Sequence, residues 1–520
     1  MHRGRIIAVL LLLVLPICFG LSTLNAQPST VPAAPQVSAP PLDPLLQKRW
    51  FETHSDHFDI FSCAPQPAVN KLAAKLEQLC KAYSLLAGTQ AVASPPTVVM
   101  AFPDQDAMKP FLPLYNGQPG NFAGFFIHGH DENLIVLSLN GTNAPEMDVI
   151  FHEYAHLLLR RNDRIWPMWL KEGMAEIYSR FETTGYHARI AEPIDYHLST
   201  LKHQAWMPLP ELFSVANDSP QYNERDRQGV FYAESWLLTH YLMAGNNPNY
   251  CARFGQFTQL LMNGQTVEQA FTNALGVPFT VMERDLHAYF NRGEFRAIEL
   301  SLAASISAPI LMTVRAITPV ETYYRLGDEL FRIDRSDVAE TYFARAKQLA
   351  PLSPLPYEGA GMLASDRDQH GEAVTEFKEA LQRGSTNFLA HYIYAKEKFR
   401  MTANGDRYRR IQGEDAGLIR SELKKSIALM PDFAPAHQLL GFFEMVQGDD
   451  MDVAEQQLQQ AILLEPENSS YLLSLAQLQI MERNPDKARA TLAPLLLPSV
   501  DPRLRASAQE LIEEMLKAKR

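Results

Sequence analysis

His152, Glu153 and His156 stand in the order His-Glu-Tyr-Ala-His, and sixteen residues after His156 comes Glu172, within Trp169-Leu170-Lys171-Glu172-Gly173-Met174-Ala175-Glu176. Residues four apart on an α-helix share a face, so the imidazoles of His152 and His156 converge on one point with Glu153 beside it. Such a pair is suited to hold zinc. Catalytic zinc takes three protein ligands and leaves a fourth position to water, and two histidines plus a glutamate are a recurrent set, which makes Glu172 the natural third ligand. Glu153 is then placed as general base for a zinc-activated water. The competing explanation is a buried helix with two satisfied histidines; Glu172 at a compatible spacing weighs against it.

Together, the His-Glu-Tyr-Ala-His and Trp-Leu-Lys-Glu-Gly-Met-Ala-Glu segments resemble the gluzincin metallopeptidases, above all their aminopeptidase branch. The metzincin pattern needs a further histidine at position 162, where this chain has Asn162. The likeness extends to exported bacterial peptidase MA-like proteins that carry tetratricopeptide repeats. It implies a zincin-like α+β catalytic domain, a mixed sheet plus active-site helices, and Zn2+ as cofactor. It also implies an edge strand within Gly120 to Leu139 that holds an extended peptide by backbone pairing. The Gly-x-Met-Glu-Asn signature that grips a free N-terminus in the aminopeptidases is absent. An endopeptidase acting on peptide or protein substrates is therefore expected, rather than an exopeptidase.

Further site residues follow from the same likeness. Phe231 to Leu242 resembles the aminopeptidase helix bearing a tyrosine that stabilises the tetrahedral oxyanion, which assigns that role to Tyr232. The Lys-Gly that follows this tyrosine in the family is here Glu234-Ser235. The alternative for Tyr232 is core packing, in one aromatic stripe with Trp236. Glu176, one turn after Glu172, is placed to hydrogen-bond a ligand histidine; otherwise it is a solvated helix glutamate.

The elements that must position these groups are legible around them. Trp50 to Phe61 reads as paired strands, Pro67 to Leu86 as a helix, Pro96 to Phe102 as a buried strand, and 121–139 as a hairpin. Asn143 and Glu146 form a capping-box pattern with Pro145 early in the helix, so the catalytic helix is expected over 144–161. Its Ile150, Phe151, Tyr154, Leu157 and Leu158 read as core. A second helix from about Pro167 brings Glu172 to the histidines. Phe181 to Arg227 is irregular and says little.

The chain has 520 residues, 46% hydrophobic and 20% charged, with a net charge of −12. That composition suits two or three globular domains, and the acidic balance disfavours a nucleic-acid partner. Residues 1–26, with Arg3 and Arg5 before an apolar run, read as a signal peptide, so export to a periplasmic or extracellular location is expected. An uncleaved membrane anchor is the alternative. Residues 27–44 are rich in Pro and Ala and read as a linker. Cys63, Cys80 and Cys251 would remain after export; a Cys63–Cys80 bridge and free thiols both stay open.

The catalytic domain is expected over 45–300 and a charge-poor linker over 301–319. From there small residues recur at a period of about 34. Gly327, Ala339 and Ala346 return as Gly361, Ala373 and Ala380, and again as Gly441, Ala454 and Ala461. Five tetratricopeptide units over 320–504 and a capping helix over 505–520 make an all-α solenoid, which serves as a protein-binding surface or as a rigid spacer. Two functions stand side by side. One is a zinc metallopeptidase whose repeats recruit substrate or partner; the other is a repeat-based interaction scaffold with a dormant or structural metallopeptidase-like domain.

Overall fold

The computed structural model describes residues 43–518, except 89, 92–94, 116, 121–123, 130, 142–143, 160–165, 185–186, 217–218, 224, 303–309, 403–409, 467 and 497–501. The expected signal peptide, and all but the last two residues of the expected 27–44 linker, lie outside these; so does Asn143 of the capping pattern. Among the described residues no helix is long and apolar enough to cross a membrane. The chain is mostly helical with a small mixed sheet. It divides into two units, 1–316 and 317–520.

The principal strands of the first unit are β1 (Phe51–His54), β2 (Phe58–Ser62), β3 (Thr97–Phe102), β4 (Gly124–Ile127), β5 (Asn133–Ser138), β6 (Glu182–Thr184), β7 (His187–Ile190), β8 (Ile298–Ser301) and β9 (Thr313–Ala316), beside a short antiparallel pair of Leu114–Tyr115 with Gln118–Pro119. Six form one sheet in the order β9-β1-β2-β3-β5-β4, with β2, β3 and β5 parallel and the outer pairings antiparallel. Central parallel strands are covered on both faces, and β3 and β5 are accordingly buried at every position. The hairpin β4–β5 leaves β4 at the sheet's edge. A three-stranded sheet runs β8-β7-β6. The stretch 301–319, expected as a linker, instead supplies β9, which pairs with β1 from Phe51↔Ala316 to His54↔Thr313.

Helices α1 (Gln66–Ala87), α2 (Ala144–Leu159), α3 (Met168–Ser179), α4 (Asp195–His203), α5 (Pro220–Asn223), α6 (Arg225–Ala244) and α7 (Phe279–Arg292) do the positioning. α2 carries His152 and His156, and its other faces are core: Ile150, Phe151, Tyr154, Leu157 and Leu158 are all buried. Two polar contacts with α1 fix it further. Cys80 Sγ donates to Tyr154 Oη at 3.6 Å, and Tyr83 Oη donates to the Leu158 carbonyl at 2.8 Å. The three cysteines of the described chain are free.

Close approach of α3 to α6 depends on the residue after Glu172. A Cβ on Gly173 would lie 2.1 Å from Thr239 Oγ1 and 2.4 Å from the Ser235 carbonyl oxygen. Alanine would gain about 1 kcal/mol of helix propensity, but backbone cannot yield as a flexible side chain does, and overpacking of this kind costs about 1–3 kcal/mol or more. Gly173→Ala should therefore lower the thermal and urea midpoints. An unchanged midpoint would mean that α3 and α6 are farther apart than described.

The second unit is a stack of helix pairs: Pro319–Arg332 with Ser336–Leu349, Leu355–Asp366 with His370–Gln382, Phe388–Arg400 with Glu414–Leu429, Ala434–Gln447 with Met451–Leu464, and Ser470–Met481 with Pro485–Leu492. The recurring glycines sit where partner helices nearly touch. A Cβ on Gly327 would come within 2.7 Å of Phe343, on Gly361 within 2.8 Å of Phe377, and on Gly441 within 2.8 Å of Leu458. The terminal helix begins at Pro502, not 505, and packs Ala508 and Met515 against Ala488, Leu492 and Leu495.

Candidate metal centre

α2 and α3 bring His152, His156 and Glu172 together. His152 Nε2 and His156 Nε2 are 3.1 Å apart, and Glu172 Oε2 lies 3.4 Å from the first and 3.3 Å from the second. A tetrahedral ion with ligand bonds of 2.0–2.1 Å separates its donor atoms by about 3.3–3.4 Å, so the three atoms match the edges of one such tetrahedron. Glu172 Oε2 is buried and has no hydrogen-bond partner, as is Glu153 Oε1. Buried acceptors left in that state are costly unless a cation or donor meets them. The residues fit zinc. His156 forms the open side of the site, its side chain 21% exposed against 2% for His152.

The electrostatics point the same way, because three buried carboxylates crowd two imidazoles. Burial disfavours charge on His152, yet Glu176, Glu172 and Glu153 outweigh it and push the imidazole up to about 9. Burial likewise opposes charge on His156, and Glu172 overcomes it, so that imidazole is raised too. Burial pushes the Glu172 carboxyl up, but His156 and His152 hold it well below the usual carboxylate range. Glu153 is raised, burial exceeding the pull of the two histidines. A divalent cation between the three ligand atoms would supply the compensating charge.

Glu176 is buried, which removes the alternative of a solvated helix glutamate. Its Oε1 lies 3.5 Å from His152 Nδ1 and 3.4 Å from His197 Nε2, so it links the two rings. His197, on α4, stacks against Trp236 of α6. Tyr232 is both core and neighbour of the site: it is buried, and its ring centroid lies 6.3 Å from that of His152.

Two residues of this neighbourhood went unread in the sequence, His197 and Tyr222. Tyr222, on α5, donates its hydroxyl to Glu172 Oε1 at 3.3 Å and stacks on Tyr232 at 6.2 Å and 21°. One oxygen of Glu172 thus faces the histidines while the other is held by Tyr222. Both residues come from the irregular stretch 181–227, where no periodicity or spacing ties them to α2. The edge strand β4 packs against α2: a Cβ on its first residue, Gly124, would lie 3.2 Å from Ile150 Cδ1.

Comparison with known proteins finds similarity among solved structures. No family model matches the chain, and no curated protein does. Among solved structures the chain is similar to YrrB, a tetratricopeptide-repeat protein with an unusual peptide-binding site (18% identity, 36% of this chain and 90% of that one, TM-score 0.31). It is similar to TTC0263, a thermophilic tetratricopeptide-repeat protein of Thermus thermophilus (24% identity, 37% and 99%, TM-score 0.28). A third is PilW, a type IV pilus biogenesis factor (19% identity, 38% and 82%, TM-score 0.29). These likenesses are weak in overall superposition, and the repeat architecture rests on the chain's own helix pairs.

Proposed function

We propose that this chain joins a repeat-based protein-interaction scaffold to a zinc-dependent metallopeptidase centre of the gluzincin kind, and that it is exported. The observation that carries the enzymatic half is the convergence of His152 Nε2, His156 Nε2 and Glu172 Oε2 at tetrahedral spacing, with the buried Glu153 Oε1 left without a hydrogen-bond partner. Zinc, when bound, makes water acidic near neutral pH and polarises a carbonyl.

The remaining work falls to the chain. Glu153 accepts the proton of the attacking water and returns it to the leaving amine; its raised proton affinity suits both halves of that transfer. Tyr232 donates to the developing oxyanion. Glu176 orients His152, and Tyr222 orients Glu172. Strand β4 offers unpaired backbone groups to an extended peptide. The helix pairs recruit a protein substrate or partner, as stacked repeats commonly do.

A second reading keeps the scaffold and makes the first unit dormant; the stack of helix pairs supports the scaffold in either case. Metal analysis together with a peptide-library digest separates the two. One zinc per chain and chelator-sensitive cleavage favour the enzyme. Zinc without any cleavage favours the dormant domain, and no zinc overturns the centre.

The hydrogen bond from Tyr222 yields a prediction of its own. Groups that orient metal ligands contribute about 10–100-fold to metal affinity, so Tyr222→Phe should weaken zinc binding by about that factor in competition with a chelating dye. Unchanged affinity would mean that Glu172 is held without it.

A further inference from the structure

Glu234, where this chain departs from the Lys-Gly that follows the tyrosine in the family it resembles, is buried at 2% exposure on α6. Its Oε1 accepts the Met207 N–H at 2.8 Å, while its Oε2 has no hydrogen-bond partner. It lines a cavity of about 400 Å3 together with Trp206, Glu283, Arg284 and His287. That volume is at the small-molecule end of ligand pockets. Successive helix residues turn by about 100°, so Glu234 points to the opposite side of α6 from Tyr232, away from the metal centre.

Glu283 on α7 contributes a second carboxylate, one oxygen of which accepts the Leu209 N–H at 2.8 Å. The cationic residue of the lining, Arg284, is turned onto Asp285 at 3.1 Å and its side chain is 72% exposed. Trp206 and His287 stack with centroids 3.9 Å apart and form a flat wall. Among the described residues no three metal-ligating side chains converge here, and one free carboxylate oxygen is far from the shell that a hard metal ion requires. Burial, with Glu211 and Glu283 nearby, pushes the Glu234 carboxyl up to about 8, against the pull of the Met207 N–H. Positive charge placed beside this carboxyl would favour its ionised form.

We propose that this cavity binds a small organic cation, a protonated amine or guanidinium group, with Glu234 as its counter-ion. The site is separate from the metal centre and independent of whether the chain is a peptidase.

The test is titration of the full chain with methylguanidinium and butylammonium, followed by ligand-observed NMR and calorimetry, with methylurea as the neutral control. The wild type should bind the cations saturably and not the urea. A charge-assisted hydrogen bond is worth about 1.5–3 kcal/mol, so Glu234→Gln, which keeps an acceptor for Met207, should weaken binding about tenfold or more. Glu283→Gln should weaken it less, and Arg284→Ala should leave it equal or tighter. N-acetyl-arginine methylamide assigns the source: tighter binding than methylguanidinium points to a peptide side chain, weaker binding to a free metabolite. The proposal is overturned by absence of cation binding in the wild type, by equal binding of methylurea, or by unchanged affinity in folded Glu234→Gln.

Discussion

Glu153→Gln should hold zinc as the wild type does and lose hydrolysis by roughly 10²–10⁴-fold, the range over which a general base contributes. The substitution is close to isosteric in a buried site, and Glu153 Oε1 has no hydrogen-bond partner to lose. Folding and metal content should therefore be preserved, and the change confined to proton transfer. The measurement is turnover of a peptide cleaved by the wild type, beside zinc content of the same preparation. Near-normal turnover in the zinc-loaded variant would assign the base elsewhere.

His156→Ala should act on the metal itself. The ring faces Glu172 Oε2 at 3.3 Å and His152 Nε2 at 3.1 Å and forms the solvent side of the cluster. Its removal leaves two ligands and opens the site. Zinc affinity should fall by more than about 100-fold, beyond what loss of an orienting neighbour causes. Equal zinc content in the purified variant would remove His156 from the ligand set. The two variants form a pair: one keeps metal without turnover, the other loses both.

Legibility followed from how local each signal is. His152, Glu153 and His156 lie about one helix turn apart and Glu172 sits in the second turn of the next helix, so residue type, spacing and the family resemblance were enough to group them. Glu176 was ambiguous because spacing cannot report burial; its place between His152 and His197 settles which kind of glutamate it is. Tyr222 and His197 were beyond reach, since only tertiary packing carries α5 and α4 to α2. Strand β9 failed for a different reason. All four of its residues are exposed, so the rim of the sheet lacks the alternation that marks a half-buried strand, and its few charges read as a linker. The repeats were readable because close helix contact selects small residues at fixed intervals, as at Gly327, Gly361 and Gly441. The terminal helix starts at Pro502, three residues earlier than expected, because proline suits the first turn of a helix.

The pairing of β1 with β9 bears on the order in which the protein is made. Phe51 finds its partner in Ala316, and all residues of the metal centre lie between them in the chain. The N-terminal unit therefore cannot close its sheet until synthesis has passed residue 316; until then β1 presents an open edge, the kind that invites pairing with other chains. Joining ends so far apart costs loop entropy that grows only logarithmically with length, but contacts of such long range form slowly. The helix pairs that follow obey another regime, each needing only its neighbour. The rim of the sheet is thus the late event in folding of the first unit, and the repeats form by local steps.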